Sequence, residues 1–173
     1  MKKYLAPLVC GFGAGVLNVV PFMKNFSCCL LVPGAAILAI ILDRKAKNTP
    51  QTEKIEMQTG LILGLLTGIF AAMFGSIFDL LITFITKNNE LISDIGALHQ
   101  FVTSMPISEA LKKEVLDIFN MMADEIKNYG FSLFYTLSVL ANAFIVNTIF
   151  GMIGGLIGAQ IINKQVANYS GKE

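Results

Sequence analysis

Charge is what this chain has least of. Charged residues make up 14% of its 173 residues, where a soluble domain carries about 25%, so roughly half the usual polar surface is missing. With the long apolar segments set aside, too little remains for a sizeable soluble core. The net charge of +1 gives no electrostatic footprint for nucleic acid. Cysteine is sparse too: Cys10, Cys28 and Cys29 form neither a CxxC pair nor a zinc spacing. The lone histidine, His99, excludes a multi-histidine metal site. No phosphate-binding loop, nucleophile–base pair or metal constellation is visible. The sequence therefore predicts no enzyme activity, no cofactor and no bound metal.

The opening MKKYLAPLVCGFGAGV has the basic start of a signal peptide, but its apolar run continues to Phe22 and no A-x-A-like site ends it. Bulky Val9 stands before Cys10, where a lipoprotein needs a small residue. The segment reads as an uncleaved first membrane helix.

What the chain has in abundance is apolar length. The run Gly60 to Ile85 holds one ionisable side chain, Asp79. At about 1.5 Å of rise per residue it is long enough to cross a hydrocarbon core of about 30 Å with tilt. Gly60, Gly64 and Gly68 recur every fourth residue, with Ala72 and Ser76 on the same stripe. Such a stripe lets another helix approach to backbone contact. Around this run the expected fold is all-α, a polytopic membrane protein with four transmembrane helices in one domain. The spans fall at about 5–23, 28–42, 60–86 and 133–162. Pro33-Gly34 predicts a kink in the second, whose short apolar run leaves a core or re-entrant segment as the alternative. Asp43 to Met57 reads as a polar loop with a turn at Asn48-Thr49-Pro50.

Residues 87–130 form an outer insertion. Leu111, Val115, Ile118, Phe119, Met122, Ile126 and Tyr129 lie on one helical face, with Ser108 as the N-cap and Gly130 as the C-cap. Four spans put both termini on one side. Of the lysines and arginines, eight (Lys2, Lys3, Arg44, Lys45, Lys47, Lys54, Lys164, Lys172) then share the terminal side and five (Lys24, Lys87, Lys112, Lys113, Lys127) the other. The basic-inside bias places both termini in the cytoplasm, in a cell inner membrane, with the insertion outside.

The fourth span contains Phe150-Gly151-Met152-Ile153-Gly154-Gly155-Leu156-Ile157-Gly158-Ala159. Together with the Asn25-Phe26-Ser27-Cys28-Cys29 corner, Gly34-Ala35-Ala36, the Gly60-to-Gly68 ladder and the amphipathic insertion, this layout resembles a family of small four-helix prokaryotic integral membrane proteins of unknown function. The resemblance covers most of the chain and rests on layout and glycines. It implies four helices and no chemistry.

Gly60, Gly64 and Gly68 in the third span and Gly151, Gly154, Gly155 and Gly158 in the fourth lie at similar depth. They are expected to pack the two helices together, or else to form a contact between copies of the chain. Asp79 is the sharpest candidate for function, because a carboxylate in an apolar band costs at least ~2.5 kcal/mol and usually faces a cavity or a partner. With Asn18, Ser138 and Asn142 it is expected to form a polar pocket suited to a cation or proton. The competing expectation is a hydrogen bond to Thr83 or an asparagine. Cys28-Cys29 stands alone, without the further pairs that a thiol–disulfide relay to quinone needs, and reads as small apolar filler. His99 reads as a surface or packing residue. The first reading of function is a structural or accessory membrane component that self-associates through glycine. The second is a small transporter or channel subunit built around Asp79. The partner in either case is the lipid bilayer.

Overall fold

The computed structural model describes residues 4–20, 30–50 and 53–170. The described residues are helical throughout, with no strand: α1 (Leu5–Leu17), α2 (Val32–Lys47), α3 (Met57–Thr86), α4 (Glu90–Ser93), α5 (Ile95–Ser104), α6 (Glu109–Tyr129) and α7 (Leu133–Ser170). Two stretches, Met57–Thr86 and Leu133–Asn168, are long and apolar enough to cross a membrane. With 13 and 16 residues, α1 and α2 are shorter than the ~20 that a crossing takes.

Several boundaries differ from the sequence expectation. The first helix closes at Leu17, not 23: Val19 and Val20 donate three residues back, to Val16 and Leu17, and this tighter turn ends the α-helical pattern. Residues 21–29, which hold the Asn25–Cys29 corner, lie outside the described residues. Pro33, expected as a kink, falls at the start of the second α-helix, directly after a π-turn at Leu30–Leu31. It sits in the first turn, where its missing N–H costs nothing and its ring presets φ. That helix also runs through Asp43–Lys47, expected as loop. Lys47 ion-pairs with Asp43 one turn earlier at 2.6 Å, and Asn48 in the left-handed region (φ 51°) closes the end. The last helix continues past 162 to Ser170.

The chain divides into two compact units, residues 1–78 with 140–173, and residues 79–139. The first unit is built on glycine. A Cβ added at Gly60 would lie 2.7 Å from Ala159 Cβ and 2.8 Å from Gly155 O. One added at Gly64 would strike the Gly151 carbonyl, and one at Gly68 the Asn147 carbonyl. These helices, α3 and α7, thus run antiparallel with backbone against backbone. The second glycine face of α7 takes α2: Gly154 lies against Pro33, and Gly158 against Ile37 and Ile40. On another face of α3, Gly11 and Gly15 of α1 meet Phe70–Ala71 and Phe74–Gly75. Cys10 and Ala14 join Val32, Ala35, Ala39 and Ala71 in one buried cluster, which closes the ring of four helices. The start of α1, the end of α2, the start of α3 and the end of α7 therefore share one end of the bundle. There Asn163 clamps the chain entering α3, accepting from Ile55 N at 2.7 Å and donating to Ile55 O at 2.9 Å.

In the second unit Ser108 caps α6 by accepting from Leu111 N, and Gly130 (φ 74°) ends it. Of the expected α6 face, Met122 and Ile126 are buried, whereas Leu111, Ile118 and Tyr129 are exposed. His99 meets Asn120 Oδ1 at 3.2 Å and ties α5 to α6. A Cβ at Gly130 would lie 2.7 Å from Phe84 O, so a glycine is required there twice over, by φ and by space.

Gly64→Leu is expected to abolish the cooperative thermal transition of the purified protein, because no rotamer clears the Gly151 backbone. Gly13, with nothing within 4 Å of an added Cβ, is the control: Gly13→Ala is expected to hold or raise the midpoint by the helix-propensity gain of up to ~1 kcal/mol.

Candidate functional site

A line of asparagines, one buried and the others half-buried, lies along the seam between α3 and α7 and against α1. On α7 the positions Asn147, Gly151, Gly155, Ala159 and Asn163 follow one another at four-residue steps, so the glycine stripe carries an asparagine at each end. Asn163 is the backbone clamp already described. Asn147 is buried; its Nδ2 donates to Ala143 O at 2.7 Å, one turn earlier. Its Oδ1 accepts from Asn18 Nδ2 at 3.5 Å, the long limit for such a bond. Asn18 is carried there by the last turn of α1, where its own N–H bonds to Ala14 O. Gly75 of α3 lies beside it: a Cβ added there would come to 3.5 Å from Asn18 Nδ2, an ordinary van der Waals contact. Asn18 Oδ1 and Ser76 Oγ are buried without a hydrogen-bond partner among the described residues.

The cluster consists of neutral amides and one hydroxyl, with no ionisable side chain among these residues. Its buried acceptors without a partner among the described residues make it a place of reduced stability.

Asp79 is partly buried in the second unit. Tyr135 Oη donates to its Oδ2 at 3.2 Å. Ser132 positions Tyr135: the serine is buried, its Oγ accepts from Tyr135 N at 3.4 Å, and its carbonyl accepts from the Thr136 hydroxyl at 2.8 Å. The carboxylate is thus held by a phenol at the start of α7. Thr83, the expected neighbour, is buried one turn further on.

The four residues expected to converge fall in two different units. Asn18 pairs with Asn147, not with Asn142, and Asn142 is exposed. Asp79 pairs with Tyr135, and Ser138 is exposed. Asn18 and Asn142 belong to one unit, Asp79 and Ser138 to the other. Cys10 is a free thiol buried in the alanine-rich cluster. No group of three or more histidine, cysteine or carboxylate side chains able to hold a metal ion occurs among the described residues.

No family model, curated protein or solved structure matches this chain.

Sequence reasoning passed over Asn147, Asn163 and Tyr135. The two asparagines had a signal, the four-residue step that extends the Gly151–Gly155 stripe in both directions. Tyr135 had none, because its distance from Asp79 depends on how the two long helices are aligned.

Asn163→Ala is expected to cost more than Asn18→Ala. The first removes two short bonds to the Ile55 backbone, worth roughly 1–3 kcal/mol; the second removes one long bond. In a double-mutant cycle on unfolding, the Asn18–Asn147 coupling is expected to stay at or below ~1 kcal/mol.

Proposed function

We propose that this chain is a structural or accessory protein of a cell's inner membrane, with four inserted helices and both termini in the cytoplasm. The observation that carries this reading is how the chain uses its small and polar residues. The glycine faces are closed on one another within one chain, and Asn18, Asn163 and Asp79 each bond to another group of the same chain. A conduit needs polar groups aligned on one water-reachable line; a scaffold leaves them paired or scattered. Pairing favours the scaffold.

Further support comes from the outer faces. Leu5, Val9 and Phe12 of α1 and Leu38 and Leu42 of α2 are exposed, an apolar surface that suits acyl chains. Arg44, Lys45, Lys47, Lys54 and Lys164 gather toward the end of the bundle shared by the start of α1 and the end of α7, in keeping with a cytoplasmic placement of that end. The resemblance to small four-helix prokaryotic membrane proteins is part of the same proposal. Self-association through the ladder glycines is not, because Gly60, Gly64, Gly68, Gly151 and Gly155 already face each other. In the first unit the glycines with open space are Gly13 and Gly34.

Accessibility labelling tests the reading. Asn18→Cys, Asp79→Cys and Asn142→Cys are made singly in a cysteine-free background and treated with a membrane-impermeant maleimide. Asn18→Cys and Asn142→Cys are expected to stay unlabelled, and the chain to remain in the membrane pellet after alkaline carbonate washing. Labelling of all three from outside would replace the scaffold with an aqueous pocket, and release into the wash would remove the membrane placement.

A further inference from the structure

We propose that the cleft between the C-terminal turns of α2 and α7 binds an anionic phospholipid, one acyl chain on its isoleucine floor and the phosphate at Arg44 and Lys45. This inference rests on the membrane placement proposed above.

The cleft follows from the glycine packing. Pro33 and Ile37 approach α7 closely because Gly154 and Gly158 have no side chains. Beyond Gly158 that device ends. Ile161, Ile162 and Gln165 now stand on α7 opposite Ile41, Arg44 and Lys45, and the helices enclose a cavity of about 690 Å³. That volume lies within the 300–1,000 Å³ usual for small-molecule sites. Its walls divide by chemistry. Ile37, Ile41 and Ile161 make an apolar floor, and Ile41 and Ile161 are exposed. Asn48 and Thr49, just past the end of α2, add neutral polar groups beside the two cations at the rim.

The charge state of the rim selects the occupant. Three cations end α2, and Lys47 is neutralised by Asp43 at 2.6 Å. Arg44 is fixed in place, its Nη2 donating to Pro50 O at 2.7 Å and Glu53 O at 3.0 Å. Both acceptors are neutral carbonyls and Arg44 has no ion pair among the described residues, so the guanidinium charge is oriented and its remaining N–H groups can meet a phosphate. Lys45 is exposed and has no ion pair among the described residues. Among the described residues no carboxylate lines the cleft. Two cations over an apolar floor match a phosphate joined to an acyl chain, and a headgroup amine would add a third positive charge. A headgroup with net negative charge, such as phosphoglycerol, is therefore preferred over phosphocholine.

The test uses the full-length protein in a non-ionic detergent, read by native mass spectrometry and by thermal shift. Phosphatidylglycerol is expected to be retained as a one-to-one adduct and to raise the melting midpoint, with phosphatidylcholine of the same acyl chains retained several-fold less. K45Q is expected to lower phosphatidylglycerol affinity about fivefold without moving the lipid-free midpoint, because Lys45 holds nothing in the fold. R44Q is expected to lower it at least as much, but it also removes two bonds to the chain, so K45Q is the deciding variant. K112Q, in the other unit, is the control and is expected to change nothing. Equal retention of the two lipids, or undiminished binding by K45Q, would overturn the proposal. So would inorganic phosphate giving the same thermal shift as the lipid, since the cleft would then read an anion alone. Any of these three results with the chain still resistant to carbonate washing refutes the lipid site only. Release by carbonate refutes the membrane placement itself.

Discussion

Everything in the first unit depends on the closest approach of α3 and α7. Gly60, Gly64 and Gly68 on one helix and Gly151 and Gly155 on the other bring main chain onto main chain, and any Cβ at the middle of that seam strikes a carbonyl. Such a contact gains its energy from many small dispersion terms and from alignment of peptide dipoles rather than from side-chain burial. It also fixes the axial register, because a shift by one residue replaces a glycine with a bulky neighbour. With the two helices locked, Gly154 and Gly158 are left to take α2, and the other side of α3 is left for Gly11 and Gly15 of α1.

The polar groups then fall where the seam puts them. Asn147 and Asn163 sit at either end of the α7 stripe, one joined to Asn18 at the top of α1 and the other clamped on Ile55 at the foot of α3. Both tie a shorter or less regular piece of chain to the central pair. The two differ in quality. The Ile55 clamp is a matched amide–backbone pair with both atoms satisfied, whereas the Asn18 pair is long and leaves Oδ1 unpartnered among the described residues. The lower end of the bundle is accordingly the better fastened. It is also the end where α2 departs from α7 and leaves the basic cleft.

Much of the candidate site was legible in pattern and little of it in pairing. The four-residue step of glycines marked which faces would be close, but not that α7 would divide its glycines between two partners, Gly151 and Gly155 for α3 and Gly154 and Gly158 for α2. A helical wheel separates those faces; it does not say which neighbour each meets. Asp79 stood out as an ionisable group in an apolar run, while its phenol donor is 56 positions away. Pro33 was read as a kink because local sequence cannot tell a proline in mid-helix from one in the first turn. Where α2 begins depends on its docking against Gly154. Arg44, Lys45 and Lys47 were read as loop because their polarity ends the apolar run, yet the Asp43–Lys47 pair and the left-handed Asn48 carry the helix on to its cap.

By itself the sequence determined the helical class, the two long apolar helices, the caps at Ser108 and Gly130, and the glycine-bearing faces. These are local properties: apolar length, residue spacing and the backbone freedom of single residues set them before any two segments meet. Tertiary structure alone decided that Asn18 meets Asn147, that Tyr135 serves Asp79, and that Arg44 and Lys45 flank an isoleucine-floored cleft. Each of these joins residues far apart in the chain. Their distance is set by the register in which the helices lock, and that register exists only once backbone contact at the glycine seam has been made.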